Sequence, residues 1–414
     1  MEKNKNKPKL RFPEFTEPWE QRKLGEIGEF KNGMNFGKEA MGHGHPFVNL
    51  QDIFGKNIVD DSNLGLAESS ENQRKEYCLN KGDILFIRSS VKPEGVGEAA
   101  LVPRDFLDTT YSGFIIRFRP KVKVADKFKK FVFSTKEIRN QIMASATSSA
   151  NTNINQDSLQ KIQLKLPDNE EQEKIGAFFD NIDNLITLHQ RKLNHLQDKK
   201  KGLLQKMFPK NGESFPELRF QGFTDPWEQR KLGEISDKVT EKNIKNNYYE
   251  TLTNSAEFGI VSQRDFFDKE ISNAKNLDGY YVVKNDDFVY NPRISNYAPV
   301  GPIKRNKLGR NGVMSPLYYV FRTHDIDKTY LEHYFGSTRW HNFMKLNGDS
   351  GARADRFAIK DSVLREMPIP YPTLEEQSKV GGFLDRLTDL ITLHQRKLQH
   401  LQKQKKGLLQ QMFI

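Results

Sequence analysis

The chain has one cysteine, Cys78, in 414 residues. That excludes an internal disulfide and any cysteine-rich zinc site. It suits a reducing compartment, so a cytoplasmic location is expected. No apolar run approaches the roughly 20 residues that span a bilayer. Residues 1–9 are rich in Lys and Asn with no apolar segment after them, so no secretory leader is expected. Catalytic signatures are missing too. The sequence contains no GlyX4GlyLys(Ser/Thr) phosphate loop, no HisGluXXHis zinc pair and no convincing glycine-rich cofactor loop. AsnProArg (291–293) and AspProTrp (225–227) lack the second proline of an amino-methyltransferase AsnProProTyr-type stretch. AspLysLys (198–200) has no partner acids, which argues against a nuclease. HisGlyHis (43–45) lacks a third ligand and is expected to be a loop, so no metal site is predicted.

Apolar residues make up only 36 %, and mean hydropathy is −0.73. Even so, 29 Phe and 13 Tyr suffice for compact cores. Long solvated helices would account for the low average. The formal net charge is +11, from 65 Lys and Arg against 54 acids. Such a surplus favours a polyanionic partner, because neutralised phosphates release condensed counterions.

The chain is internally duplicated. LRFPEFTEPWEQRKLG (10–25) returns as LRFQGFTDPWEQRKLG (218–233), and Trp19 pairs with Trp227 at a shift of 208 (227 − 19). Residues 170–208 return as residues 375–413, and His189 pairs with His394 at a shift of 205 (394 − 189). Roughly two-thirds of these aligned positions are identical, far beyond chance. Between the matched blocks, residues 30–165 and 236–370 share only a skeleton. LysGlyAspIleLeuPhe (81–86) is aligned with LysAsnAspAspPheVal (284–289), and LysLeuPro (165–167) with ProIlePro (368–370). Constant blocks alternate with variable ones of similar length, as two readers of different targets on one frame would require.

Each second constant block reads as a long helix. Pro167 and Pro372 stand before it, and Glu170, Glu171, Glu375 and Glu376 fill its first turn, complementing the helix dipole. A heptad seam runs through Phe179, Ile182, Ile186, His189, Leu193, Leu196 and Leu203. Its counterpart is Leu384, Leu387, Ile391, His394, Leu398, Leu401 and Leu408. This predicts a coiled coil of two helices, each about 58 Å long. An antiparallel pairing is expected, relating two variable modules by a pseudo-twofold axis. The seam histidines are expected to be packed core residues, not metal ligands.

Each variable module shows short strand-like runs, such as residues 83–88, 113–118, 287–290 and 317–321, with apolar and polar residues alternating. Helical stretches are predicted near 126–145 and 327–346. The fold class is therefore α+β. Base-reading residues are sought in polar loops on this scaffold. In the first half the candidates are Arg88, Ser89 and Ser90 and, further on, Ser148, Ser149, Asn151 and Asn153. In the second half they are Arg293, Ser295, Asn296 and Tyr297, then Ser350, Arg353 and Arg356. Arg can grip guanine and Asn adenine in bidentate fashion, and Ser can contact bases or phosphates.

This organisation resembles HsdS, the specificity (S) subunit of type I restriction–modification enzymes. The marks are TrpGluGlnArgLysLeuGly (19–25 and 227–233), GluGlnXLysIle/Val (171–175 and 376–380), the paired long helices and the two divergent modules. The resemblance implies two target-recognition domains separated by two long antiparallel coiled-coil helices. The boundaries would be 1–166 for the first constant segment and module, 167–209 for the central helix, 210–371 for the linker, repeated segment and second module, and 372–414 for the C-terminal helix. Each module would read one half of a bipartite DNA target, and the coiled coil would set the unread spacer. The chain would be non-catalytic. Two modification subunits would bring S-adenosylmethionine for DNA methylation, and two restriction subunits would use ATP and Mg. The competing expectation is a coiled-coil scaffold that reads no sequence.

Overall fold

The structure is a computed structural model that describes residues 6–148, 151–267, 277–349 and 355–413, with Ser148 and Phe267 described through their backbones alone. Two compact units divide the chain, residues 1–190 with 396–414, and residues 191–395. We call them unit 1 and unit 2.

Unit 1 is built on a four-stranded antiparallel sheet in the order Gly28–Asn32, Ile115–Pro120, Ile84–Ile87, Ala99–Leu101. All four residues of Ile84–Ile87 are buried. Ile84 and Phe86 join a core with Phe118, Phe128 and Phe131, whereas Leu85 and Ile87 join another with Val48 and Tyr111. The period of two thus serves two cores, one on each face of the sheet. That differs from the expected apolar–polar alternation, because both faces here are covered.

Unit 2 repeats the plan with Ser236–Lys238, Tyr319–Thr323, Phe288–Tyr290 and Ile303–Arg305. Phe288, Tyr290 and Phe321 face one core, Val289 and Val320 the other. The equivalence runs one position later than the sequence alignment suggests at the third strand. Asp83 is gripped by Arg119 (Nε–Oδ1 2.8 Å, Nη2–Oδ2 2.7 Å), and its counterpart is Asp287, gripped by Arg322 at 2.8 and 2.9 Å. The preceding turn residues, Gly82 and Asp286, both have positive φ. A buried, bidentate ion pair fixes the strand register where residue similarity alone does not. The helical stretches break into Asp126–Val132 and Lys136–Ser145, and into Lys328–Phe335 and His341–Asn347. His43 and His45 lie in a strand, Met41–Val48, paired with Gly65–Ala67, and not in a loop.

The constant blocks explain themselves as a clamp. In unit 1, strand Glu20–Lys23 pairs with Gln163–Leu166, the strand that leads into the first long helix, Asn169–Lys206. Glu171 in that helix's first turn is fully buried. It accepts from Arg11 Nε and Nη2, both at 2.7 Å, and from Trp19 Nε1 at 3.1 Å. The carboxylate in turn raises the pKa of Arg11. Gln172 Oε1 accepts from Ala125 N, at the start of helix Asp126–Val132, at 2.9 Å. Unit 2 repeats each bond. Glu376, in helix Leu374–Met412, accepts from Arg219 at 2.7 and 2.9 Å and from Trp227 at 3.0 Å. Gln377 Oε1 accepts from Asp327 N at 2.8 Å. The Glu–Gln pair therefore ties one helix start to both the constant segment and the module.

Within each unit the two long helices run antiparallel. In unit 1 the Phe179 and Phe413 rings lie 5.7 Å apart, and Asp183 meets Lys405 further along. In unit 2 Lys200 Nζ donates to Thr388 Oγ1 at 2.7 Å, while Leu204 and Phe208 share a core with Val380 and Leu384. Phe179, Leu193, Leu196, Leu384, Leu387, Ile391 and Leu398 are buried. Ile182, Ile186, His189, Leu203, His394, Leu401 and Leu408 are half-buried. Besides Leu374 at a helix start, leucines off this seam are exposed as two repeated pairs: Leu185 and Leu188 at 46 and 61 %, and their repeats Leu390 and Leu393 at 46 and 45 %.

Candidate nucleic-acid interface

The loops singled out in each module are far apart in sequence, yet each unit brings its own pair together. In unit 1, Ser89–Ser90 forms a short strand in the three-stranded sheet with Thr152–Asn153 and Thr147–Ser148. Ser90 stands opposite Thr152 and Ser89 opposite Asn153. Arg88 supports this patch through its carbonyl, which accepts from Ile154 N at 2.9 Å, and its N–H, which donates to Phe114 O at 2.7 Å. Its guanidinium reaches the Gly113 carbonyl at 3.3 Å. Ser89, Ser90 and Asn153 are half-buried, and Asn151 is exposed. Asn153 Nδ2 donates to the Asn151 carbonyl at 2.9 Å, which orients the amide. Ser149 and the Ser148 side chain lie outside the described residues.

In unit 2 the corresponding contact joins Arg293 and Arg356, opposite each other across an antiparallel bridge. Beyond Arg293 the chain turns back on itself. Ser295 bridges Ala298, and its Oγ accepts from Ala298 N at 3.2 Å. The turn presents Asn296 and Tyr297 to solvent, Tyr297 at 79 % exposure. Asn291 Oδ1 accepts from Arg293 N at 3.0 Å and anchors the turn's base. Ser350 and Arg353 lie outside the described residues.

Two exposed apolar side chains escaped the sequence reading. Phe114 lies in the turn bonded to Arg88, and Leu317 occupies the matching place in unit 2, just before strand Tyr319–Thr323. Leu317 lines a cavity of about 780 Å³ with Leu346, Asn347 and Phe357, beside the Arg356 segment. An exposed apolar residue in the turn before a central strand was the available signal, and it appears in both halves.

The same backbone pairing thus carries unlike chemistry. One unit presents hydroxyls and an amide, the other two guanidinium groups and a phenol. Both sets offer donors and acceptors of the kind that read base edges. Among the described residues no group of three or more His, Cys, Asp or Glu is placed to hold a metal ion. No helix among them is long and apolar enough to cross a membrane.

A frame repeated twice, holding two different polar edges, has known counterparts. The family model of the type I restriction modification DNA specificity domain matches residues 16–198 and again 224–403, and the chain belongs to that family, the specificity subunits of type I restriction–modification systems. The putative type I restriction enzyme MjaX specificity subunit of Methanocaldococcus jannaschii is 25 % identical, over 98 % of this chain and 95 % of its own length. The MjaVIII specificity subunit of the same organism is 23 % identical, over 97 and 92 %. Among solved structures, the S subunit of a type I restriction–modification system from M. genitalium superposes with a TM-score of 0.53 at 15 % identity, covering 99 % of both chains. The HsdS subunit from Thermoanaerobacter tengcongensis gives 0.50 at 18 % identity, covering 97 and 98 %. These likenesses concern the fold.

Proposed function

We propose that each module reads one half of a bipartite DNA target and that the helix pair sets the unread spacer between halves. The observation that carries this reading is the substitution of chemistry at a fixed backbone position, Ser89 and Asn153 in one unit and Arg293 and Arg356 in the other. Positioning contacts to phosphates need not differ between halves, whereas base contacts must. The functional boundaries are 1–166, 167–209, 210–371 and 372–414. Joining two weak readers in one chain makes the second contact intramolecular and imposes spacing.

The chain itself performs no chemistry on this proposal. Methyl transfer from S-adenosylmethionine and ATP- and Mg-dependent cleavage belong to two modification and two restriction subunits. The repeated leucine pairs, Leu185/Leu188 and Leu390/Leu393, support two equivalent docking faces for the modification subunits, since exposed apolar pairs on otherwise polar helices favour a partner.

Competition binding at fixed salt tests the reading. The chain assembled with its modification subunits should prefer its bipartite site over scrambled DNA by roughly a thousandfold or more. Absence of any preference would leave a scaffold without sequence reading. Insertion of seven residues into both long helices should change the spacer tolerated between halves, and an unchanged spacer would remove the helices' role as a ruler.

A further inference from the structure

Unit 2 holds a pair of arginines that its own fold does not use. The bonds flanking Arg293 and Arg356 are Ile294 N to Asp355 O at 3.0 Å and Phe357 N to Pro292 O at 2.8 Å. They make the two residues a non-hydrogen-bonded antiparallel pair, in which Cα atoms approach to about 4.5 Å and side chains lie close together. Like charges placed directly opposite each other weaken strand pairing. Elsewhere in the unit Arg219, Arg305, Arg310 and Arg322 each meet a carboxylate. Arg293 and Arg356 have no ion pair and no side-chain hydrogen bond among the described residues. The Nε of Arg356 is buried without an acceptor. Arg293 is exposed and Arg356 half-buried, so their remaining N–H groups stand open to water or to an acceptor from outside the chain.

Unit 1 shows what the position is without arginine. Ser89 and Asn153 form the same kind of pair there, flanked by Ile154 N to Arg88 O at 2.9 Å. The backbone is shared and the side chains are not. A phosphate would serve both modules alike and carries no sequence information. Arginine's planar fork instead matches the O6 and N7 acceptors of guanine in the major groove.

We propose that Arg293 and Arg356 read guanine in the half-site of the second module. This rests on the bipartite reading above and assigns a base class to one of its halves.

The test assembles the full chain with its modification subunits and maps methylated sites on random-sequence DNA at fixed salt. Wild type, R293A, R356A, R293K and R356K are compared. The wild-type target should carry guanine in one half. Each alanine variant should relax a guanine position in that half alone, by on the order of tenfold to a hundredfold. Each lysine variant should recover affinity but only part of the discrimination. Three results would overturn the assignment. One is a uniform loss across all sequences, fully rescued by lysine, with the salt slope reduced by about one, which marks a phosphate contact. Another is relaxation in both halves. The third is a target with no guanine in the affected half. If wild type shows no bipartite target, the bipartite reading itself fails and takes this one with it.

Discussion

Removing Arg11 should destabilise the chain far more than a surface arginine would. Glu171 is wholly buried and accepts hydrogen bonds from Arg11 and the Trp19 indole. Arg11→Ala leaves a buried carboxylate with one neutral donor. Breaking a buried pair in this way costs about 3–5 kcal/mol. The helix N-terminus offsets part of that, about 0.3–1 kcal/mol, because the carboxylate lies in the first turn. The net loss is about 2–5 kcal/mol, and for a unit of this size the thermal midpoint should fall by roughly 4–19 °C. Arg219→Ala should behave alike, since its bonds to Glu376 differ by no more than 0.2 Å from those of Arg11 (2.7 and 2.9 Å against 2.7 and 2.7 Å). The double variant R11A/E171A removes both charges and should recover part of the loss, with a coupling of about 1–3 kcal/mol. Thermal and urea unfolding of the full-length chain measure all three. A loss below about 1 kcal/mol for R11A, or an additive double variant, would refute the clamp as a source of stability.

Three further outcomes follow from the structure. His333 is buried against Asp385, with Nε2–Oδ1 at 3.0 Å. Burial first, then nearby Lys200, lowers its pKa from 6.5 to about 4, against the opposing pull of Asp385. The folded state therefore stays neutral where the unfolded state binds a proton. Its contribution is complete above about pH 6.5 and is lost toward pH 4, by no more than about 3 kcal/mol. His333→Gln should flatten the stability–pH curve in that window, and an unchanged slope would contradict the assignment. Phe114→Ala and Leu317→Ala should leave the unfolding free energy within about 0.5 kcal/mol of wild type, as exposed positions do, while weakening DNA affinity of the assembled complex. Equal DNA affinity would remove both residues from the interface. Leu185→Glu with Leu188→Glu should weaken binding of one modification subunit, measured by titration calorimetry, without altering helix content. Undiminished binding of both subunits would move the docking face elsewhere.

The duplication was readable because identity and heptad period are local properties of the chain. The Arg–Glu–Trp clamp was half readable. Arg11, Trp19 and Glu171 and their repeats all sit in constant blocks, yet nothing local says that a residue near 11 meets one at 171. The same gap in sequence hid the joining of 89–90 with 152–153, which depends on long-range strand pairing. Residue similarity places the equivalence of Asp83 and Asp287 one residue off because the turn before them diverges, and the buried ion pair to Arg119 and Arg322 pins it. The sequence leaves strands Ile84–Ile87 and Phe288–Tyr290 readable as one-sided, since a short apolar run does not say how many faces are covered. His43 and His45 lie in a strand because Met41 and His45–Val48 pair on either side of a bulge, regardless of the histidines' polarity.

The most direct measurement exchanges residues 30–165 for the matching module of another specificity subunit and maps methylated bases in DNA after assembly with the modification subunits. Modules that read independently on a shared frame give a target with one half replaced and the other half and spacer retained. A target altered in both halves, or in neither, contradicts the account.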